Sequence, residues 1–587
     1  MDDSRQPDER VAHYADRLDG RFALWAGPLA ARVDEGLARL SRDRVIDGLY
    51  GKQPSLWSAD AAVQAKIANR LGWLTAPEWA VPSLPRVQQF ADGIRDGGFT
   101  DVVLLGMGGS SLAPEVFRSV LGVKPGWPSF HMLDSTDPGS IAAVGASVNL
   151  PRTLFLLASK SGGTIEPNSM AAYFGDRLRA SGAARWADQF VAITDEGTSL
   201  HRRALAEGFR DVFVNPSDIG GRYSAVSFFG LVPAALMGHD PAELVDWARA
   251  MLWLCGPGRP LATNSAALLG VAMAEAARAG RDKLTLLAPG RLEAIGLWLD
   301  QLVAESTGKD GQGVIPIAGE PLDSTSHYGS DRFFVHLSPD GPPAEAARNG
   351  LRDLAGAGMP FAQAELPEPG AITAEFVRWE LATAIAGALL GLNPFDEPNV
   401  QQAKDATQRL LQAHGATGSL PRSGSACTIG GYEAWLSGSA VAGLGAPDAG
   451  RLLSLLAPGD YFAVLAYLPP AAELLAPIEW LREQVRTSTR CATTFGYGPR
   501  YLHSTGQLHK GGPATGVFLI ISAEPAADLP VPGESYTFGV LEQAQAIGDF
   551  ASLDSAARRA LHVRLPRPDG AAVRDLAVAL TAGLPQV

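Results

Sequence analysis

One pattern constrains this chain more than any other. A short apolar run ends in glycine and opens into a helical stretch, and the plan occurs twice in succession. DVVLLG (101–106) passes through MGGSS into a helical pattern from Leu112, and TLFLLAS (153–159) passes through KSGGT into another from Ile165. FVAITD (190–195) is a third run of the same kind. Continuous apolar runs alternating with helical patterns specify a parallel sheet with helices on both faces. The expected fold class is therefore α/β, with α-β-α sandwiches built on mainly parallel sheets.

The pattern recurs further along. KLTLLAP (283–289) is followed by the helical RLEAIGLWLDQLVAES, then by the strand-like GVIPIA (313–318) and RFFVHL (332–337). These place a first α/β domain at about 80–240 and a second at 255–587, its core within 255–410, after a helical N-terminal segment at 1–80 anchored by Trp57 and Trp73. In the C-terminal extension, YFAVLAYL (461–468) and GVFLIIS (516–522) read as strands and 470–488 as a helix. This piece is expected to extend the second domain's sheet. The Gly/Ser-rich stretch 415–433 reads as a loop.

A chain of 587 residues carrying a formal charge of −13 is a poor candidate for nucleic-acid backbones, which need a basic surface. The acidic N-terminus MDDSRQPDER shows no signal peptide, and no run reaches the length of a membrane span. Cys255, Cys427 and Cys491 have neither metal-ligand spacing nor a disulfide framework. A cytoplasmic protein without metal, redox or other cofactor is expected.

The glycine loops carry chemistry. A strand that turns through glycines into a helix start aims free backbone N–H groups and the positive helix pole at one point, and Ser or Thr hydroxyls add donors. GMGGSS (106–111) and SKSGGT (159–164) share this design. One such loop is compatible with a helix cap that binds nothing; two on consecutive strands point to a phosphate ester. The P-loop and dinucleotide patterns are absent.

GMGGSSLAPEV and SKSGGTIEP resemble the two phosphate-binding loops of the sugar-isomerase domain family. SDIGGRYSAVS (217–227), ESTGKDG (305–311) and NPFDEPNVQQAK (393–404) are similar to signature segments of glucose-6-phosphate isomerases, in the family's order. SLWSAD, NRLGWL and LHSTGQLHKGGP further resemble the isomerase half of bifunctional transaldolase/glucose-6-phosphate isomerases. Too few residues precede the isomerase motifs for a transaldolase barrel, so no transaldolase activity is expected.

The resemblance implies two sugar-isomerase-type domains and a small-molecule sugar phosphate as partner. The implied reaction is reversible isomerisation of glucose 6-phosphate to fructose 6-phosphate, by ring opening and proton transfer through a cis-enediol(ate). It makes Glu305 the shuttling base, on a helix whose negative pole should raise its pKa. Arg222 becomes the enediolate stabiliser and Lys404 an aid to ring opening. Gln301 lies one turn before Glu305 and would hydrogen-bond substrate. Ser159, Lys160, Ser161 and Thr164 would hold the phosphate, with Gly109, Ser110 and Gly221 lining the sugar. Two departures stand out. Glu397 replaces a glutamine of the wider family, and must turn away from the phosphate, pair with a cation or be protonated. The ring-opening histidine, which in the family precedes the NPFD segment, finds its best likeness after it; His503 is preferred to His509 and His327. In the wider family that histidine reaches in from a neighbouring subunit. Here it is expected to act within one chain, so a homodimer is possible but not required. The alternatives are a dual phosphoglucose/phosphomannose isomerase and a non-catalytic sugar-phosphate sensor.

Overall fold

The computed structural model describes residues 7–341 and 344–584. Strand β1 (Phe22–Trp25) lies in the N-terminal segment, which is otherwise helical over Glu9–Leu18, Ala30–Arg42, Val45–Tyr50 and Ala61–Ala68. The first sheet holds β2 (Asp101–Leu105), β3 (Ser129–Leu133), β4 (Thr153–Ala158), β5 (Phe190–Asp195) and β6 (Asp211–Asn215), in the order β3-β2-β4-β5-β6. All its pairings are parallel. Every residue of β2, β4 and β5 is buried, which is why these three runs read as unbroken apolar segments.

The second sheet comprises β7 (Lys283–Leu287), β8 (Ile315–Ile317), β9 (Arg332–Pro339) and β10 (Phe361–Leu366), with β1 added antiparallel at the edge, in the order β1-β10-β9-β7-β8. The N-terminal segment is thus not purely helical. Phe22 and Leu24 pack against the main core, and their strand covers the open edge of β10. The expected anchors are both buried. Trp57 Nε1 donates to the Ala384 carbonyl at 2.9 Å, and Trp73 stacks on Tyr223 with ring centroids 5.1 Å apart.

The C-terminal strands do not extend the second sheet. They form a third, built from β11 (Ser425–Ile429), β12 (Tyr432–Leu436), β13 (Tyr461–Tyr467), β14 (Ala492–Tyr497), β15 (Gly516–Ala523) and β16 (Arg559–Leu565), in the order β11-β12-β16-β15-β13-β14. Six strands with flanking helices bury their own core around Val464, Leu519 and Leu561, so no neighbouring edge is needed to satisfy them. Of the stretch 415–433, expected to be a loop, residues 425–433 belong instead to the hairpin β11–β12. Gly430 and Gly431 both have positive φ (58° and 85°), the requirement of a two-residue hairpin turn. The helix predicted at 470–488 is present as Ala472–Thr489. No helix among the described residues is long and apolar enough to cross a membrane.

Candidate active site

The site is assembled from the carboxyl ends of the first sheet, one helix end from the second domain, and a turn from the third sheet. The loop after β2 is very close to the segment carrying Arg222. A Cβ on Gly109 would lie 2.0 Å from the Gly221 carbonyl oxygen, and one on Gly108 would lie 2.9 Å from Gln301 Nε2 and 3.0 Å from His503 O. Only glycine permits that approach. Gly108, Gly109, Gly221, Gln301 and His503, distant in sequence, meet here.

Arg222 is 5% exposed and its guanidinium is held on all sides. Nε donates to Ser306 Oγ, Nη1 to Glu397 Oε2 and Nη2 to the carbonyls of Pro394 and Asp396, each at 2.9 Å. Nη1 also lies 3.4 Å from Glu305 Oε2. Burial alone would lower its pKa, but Glu305 and Glu397 outweigh burial and raise it. Glu397 therefore resolves its departure from the family pattern by pairing with a cation.

Glu305 sits in the last turn of the helix Ile295–Thr307 and is 6% exposed. Its pKa is raised, the expected direction, but with burial and not the helix pole as the largest cause, opposed by Arg222 and reinforced by Glu397. Gln301, one turn earlier, is 5% exposed, and its Oε1 is buried without a partner among the described residues. An unmet acceptor in a polar site is costly unless a ligand completes it. Beyond the helix, Lys309 binds the Asn393 carbonyl and Asp396 Oδ1, tying the NPFD turn to the helix end. Burial, with Arg222 nearby, pushes its pKa down to about 8.

His503 closes the turn Arg500–His503, and its Nε2 lies 3.0 Å from Glu166 Oε1. Arg500 pins this turn to the first sheet through a two-pronged pair with Asp134 at 2.8 and 2.7 Å. Glu166 is 3% exposed and also accepts from Gln545 Nε2 at 2.7 Å. Burial would raise its pKa; His503 and other donors overcome that and lower it. A buried carboxylate thus fixes the imidazole's orientation. Glu166 was not singled out from the sequence, although it lies within SKSGGTIEP. The signal was available: a glutamate in the first turn of a helix that buries it needs a partner.

The other candidates divide. Ser159 Oγ and Thr164 Oγ1 are 3.1 Å apart across the second glycine loop, and Ser161 is exposed at its tip. Ser110 is buried in the first loop. Lys160 binds Asp195 and the Ser217 carbonyl, so its charge is largely engaged. Lys404 is exposed near the start of the helix Val400–Thr417 and helps to lower the Glu166 pKa. His509 is buried elsewhere, with Nδ1 3.1 Å from Tyr461 Oη, and burial holds its pKa well below the ordinary value. His327 pairs with Asp323 at 3.0 Å, beside Arg486. Gln507 was overlooked. Its side chain bonds Asn399 Oδ1 and the Gly308 carbonyl, and its Oε1 accepts from Asn399 N, clamping two signature segments together.

The family model described as phosphoglucose isomerase matches residues 83–314. The glucose-6-phosphate isomerase of Synechococcus sp. (strain CC9605) is 30% identical over 430 residues, spanning 62% of this chain and 80% of its own. The chain belongs to the glucose-6-phosphate isomerase family. The glucose-6-phosphate isomerase of Trichormus variabilis (strain ATCC 29413 / PCC 7937) is likewise 30% identical, over 401 residues, with 58% of this chain and 74% of its own covered. Two solved structures share the fold. A hypothetical protein from Thermus thermophilus has a TM-score of 0.56 at 24% identity, covering 66% of this chain and 99% of its own. A glucose-6-phosphate isomerase from Chlamydia trachomatis has a TM-score of 0.50 at 17% identity, covering 71% and 88%.

Proposed function

We infer that this member of the glucose-6-phosphate isomerase family interconverts glucose 6-phosphate and fructose 6-phosphate with the following division of labour. The observation that carries it is the buried pair Glu305–Arg222 at 3.4 Å, beside the unpartnered Gln301 Oε1. A carboxylate whose pKa is raised by burial accepts a carbon-bound proton more readily than an exposed one, and a fixed guanidinium stabilises the oxyanion that forms as the proton leaves.

The phosphate binds at the second glycine loop, through the hydroxyls of Ser159, Ser161 and Thr164 and the adjoining backbone N–H groups. Lys160 adds only the charge that Asp195 leaves it. Gly109, Ser110 and Gly221 line the sugar, where side chains would obstruct it. His503, oriented by Glu166, opens the ring by moving a proton between the ring oxygen and the C1 hydroxyl, with Lys404 alongside. Glu305 then takes the C2 proton and returns it to C1, while Arg222 stabilises the enediolate oxygen and Gln301 bonds a substrate hydroxyl. His503 lies beside Glu166 and acts on Glu305 within a single copy of the chain, and in this reading ring opening and proton transfer need no second subunit. A coupled assay with fructose 6-phosphate tests the reading. Turnover in the parent chain that collapses in Glu305→Gln is the expected result; equal turnover in both would overturn it.

A further inference from the structure

A cavity of about 950 Å³ lies away from this site, at the carboxyl ends of β7 and β9 and against the helix Ala472–Thr489. In the second sheet the chain leaves β7 toward β8 on one side, and β9 toward β10 on the other. The crevice between such strands is where open α/β sheets take ligands, and this volume suits a small molecule.

Its floor holds Glu320, already bound by Arg332 and by Thr493, beside buried polar groups that the protein leaves unmatched. Arg482 is 7% exposed and has no carboxylate within ion-pair distance among the described residues. Its Nε and Nη2 donate to Thr493 and to the Ala318 carbonyl, while Nη1 donates to nothing among the described residues. Asp300, the neighbour on the helix that leads to Glu305, cannot neutralise it, because burial pushes that carboxyl up to about 8. His336 and Ser338, 4% and 2% exposed, line the same floor. Neither His336 ring nitrogen enters a hydrogen bond among the described residues, and His336 Nδ1 and Ser338 Oγ are buried without partners. Glu320, the carboxylate that acts most on Arg482, is shared with Arg332 and Thr493, so this buried guanidinium is only partly compensated, and idle polar groups lie beside it, at a cost. An oxyanion placed there would relieve that cost.

The walls and mouth narrow the ligand further. Leu287, Leu322 and the partly exposed Trp480 present apolar surface, and Glu293, Glu479 and Glu483 stand at the mouth as exposed carboxylates. The acids repel a polyanion or a long phosphate chain. They leave room for one anionic head at the floor and an uncharged body against the apolar wall.

We propose that this cavity is a second ligand site, for a small organic anion bearing a single carboxylate or phosphomonoester on an apolar or planar body. Arg482 holds the head, His336 and Ser338 complete its hydrogen bonds, and Trp480 covers the body. The site uses none of the groups assigned to isomerisation.

Calorimetric titration of the full chain tests this with four probes: benzoate, phenyl phosphate, inorganic phosphate and benzyl alcohol. Benzoate or phenyl phosphate should bind, with inorganic phosphate and benzyl alcohol at least about tenfold weaker, since each lacks half of the recognition. Arg482→Met should weaken the binding at least about tenfold. Ala476→Phe, at an exposed position on the cavity lip, should also weaken it by filling the entrance. Both variants should keep the parent kcat and KM for fructose 6-phosphate, showing that they fold. Ser159→Ala/Thr164→Ala should leave the binding unchanged. The proposal fails if neither aromatic anion binds in the millimolar range, if benzyl alcohol binds as tightly, or if inorganic phosphate does. It fails also if Ala476→Phe binds normally, or if binding vanishes in Ser159→Ala/Thr164→Ala, which would place it in the catalytic phosphate loop.

Discussion

Replacing Glu397 by glutamine isolates one electrostatic contribution to the proposed base. The two carboxylates share Arg222 Nη1, Glu305 at 3.4 Å and Glu397 at 2.9 Å, so the two oxygens lie no more than about 6 Å apart. At an effective dielectric of about 20, that separation corresponds to roughly 3 kcal/mol, or about two pK units. The Glu397 side chain is 43% exposed, and water screens such a charge heavily, so about half a unit to one unit is the effect to expect. The direction follows from the charge. Glu397 disfavours a second negative charge, so removing it favours ionised Glu305 and lowers that group's pKa. Glutamine retains an oxygen to accept from Arg222, so the geometry should survive. In a pH profile of kcat/KM for fructose 6-phosphate, the acid limb should move down by about that amount while the basic limb stays put. An unmoved acid limb, or one displaced upward, would show that Glu305 is not the group titrating there, or that Glu397 does not face it in solution.

Glu305→Gln should bind fructose 6-phosphate yet lose several orders of magnitude in kcat, because an amide cannot carry the proton; exchange of the C2 proton of glucose 6-phosphate with solvent deuterium at the parent rate would remove Glu305 from the role. Ser159→Ala/Thr164→Ala should raise KM with little change in kcat, since those donors hold the phosphate alike in ground and transition states, and the reverse pattern would misplace the phosphate. Glu166→Gln should slow turnover of the ring-closed sugar far more than that of an open-chain analogue, since it removes the charged partner that orients His503; equal losses on both would detach the pair from ring opening. Mixing inactive Glu305→Gln and His503→Ala chains should restore no activity if each site draws both groups from one chain, and appreciable rescue would show a shared site.

Much of this molecule was determined by the sequence alone. Strands β2, β4 and β5 are buried on both faces, so their apolar runs could hardly be anything else, and the glycine turns after β2 and β4 marked two loops at the candidate site, the second of them proposed to hold the phosphate. Local chemistry of that kind survives in one dimension. The hairpin at Gly430–Gly431 was legible too, in a two-residue glycine turn between short alternating segments, but its Gly/Ser-rich surroundings masked it. What tertiary structure decided is which distant groups meet. Whether the C-terminal strands extend one sheet or found another depends on how much apolar surface they bury together, and no local pattern records that sum. His503 and His509 are close neighbours in the chain, yet one is pinned beside Glu166 by the Arg500–Asp134 pair and the other is shut in a core beside Tyr461. Glu397 is an anion whose effect depends on reaching Arg222, 175 residues away in the chain. Charge, burial and hydrogen bonding act through space, and only the fold sets those distances.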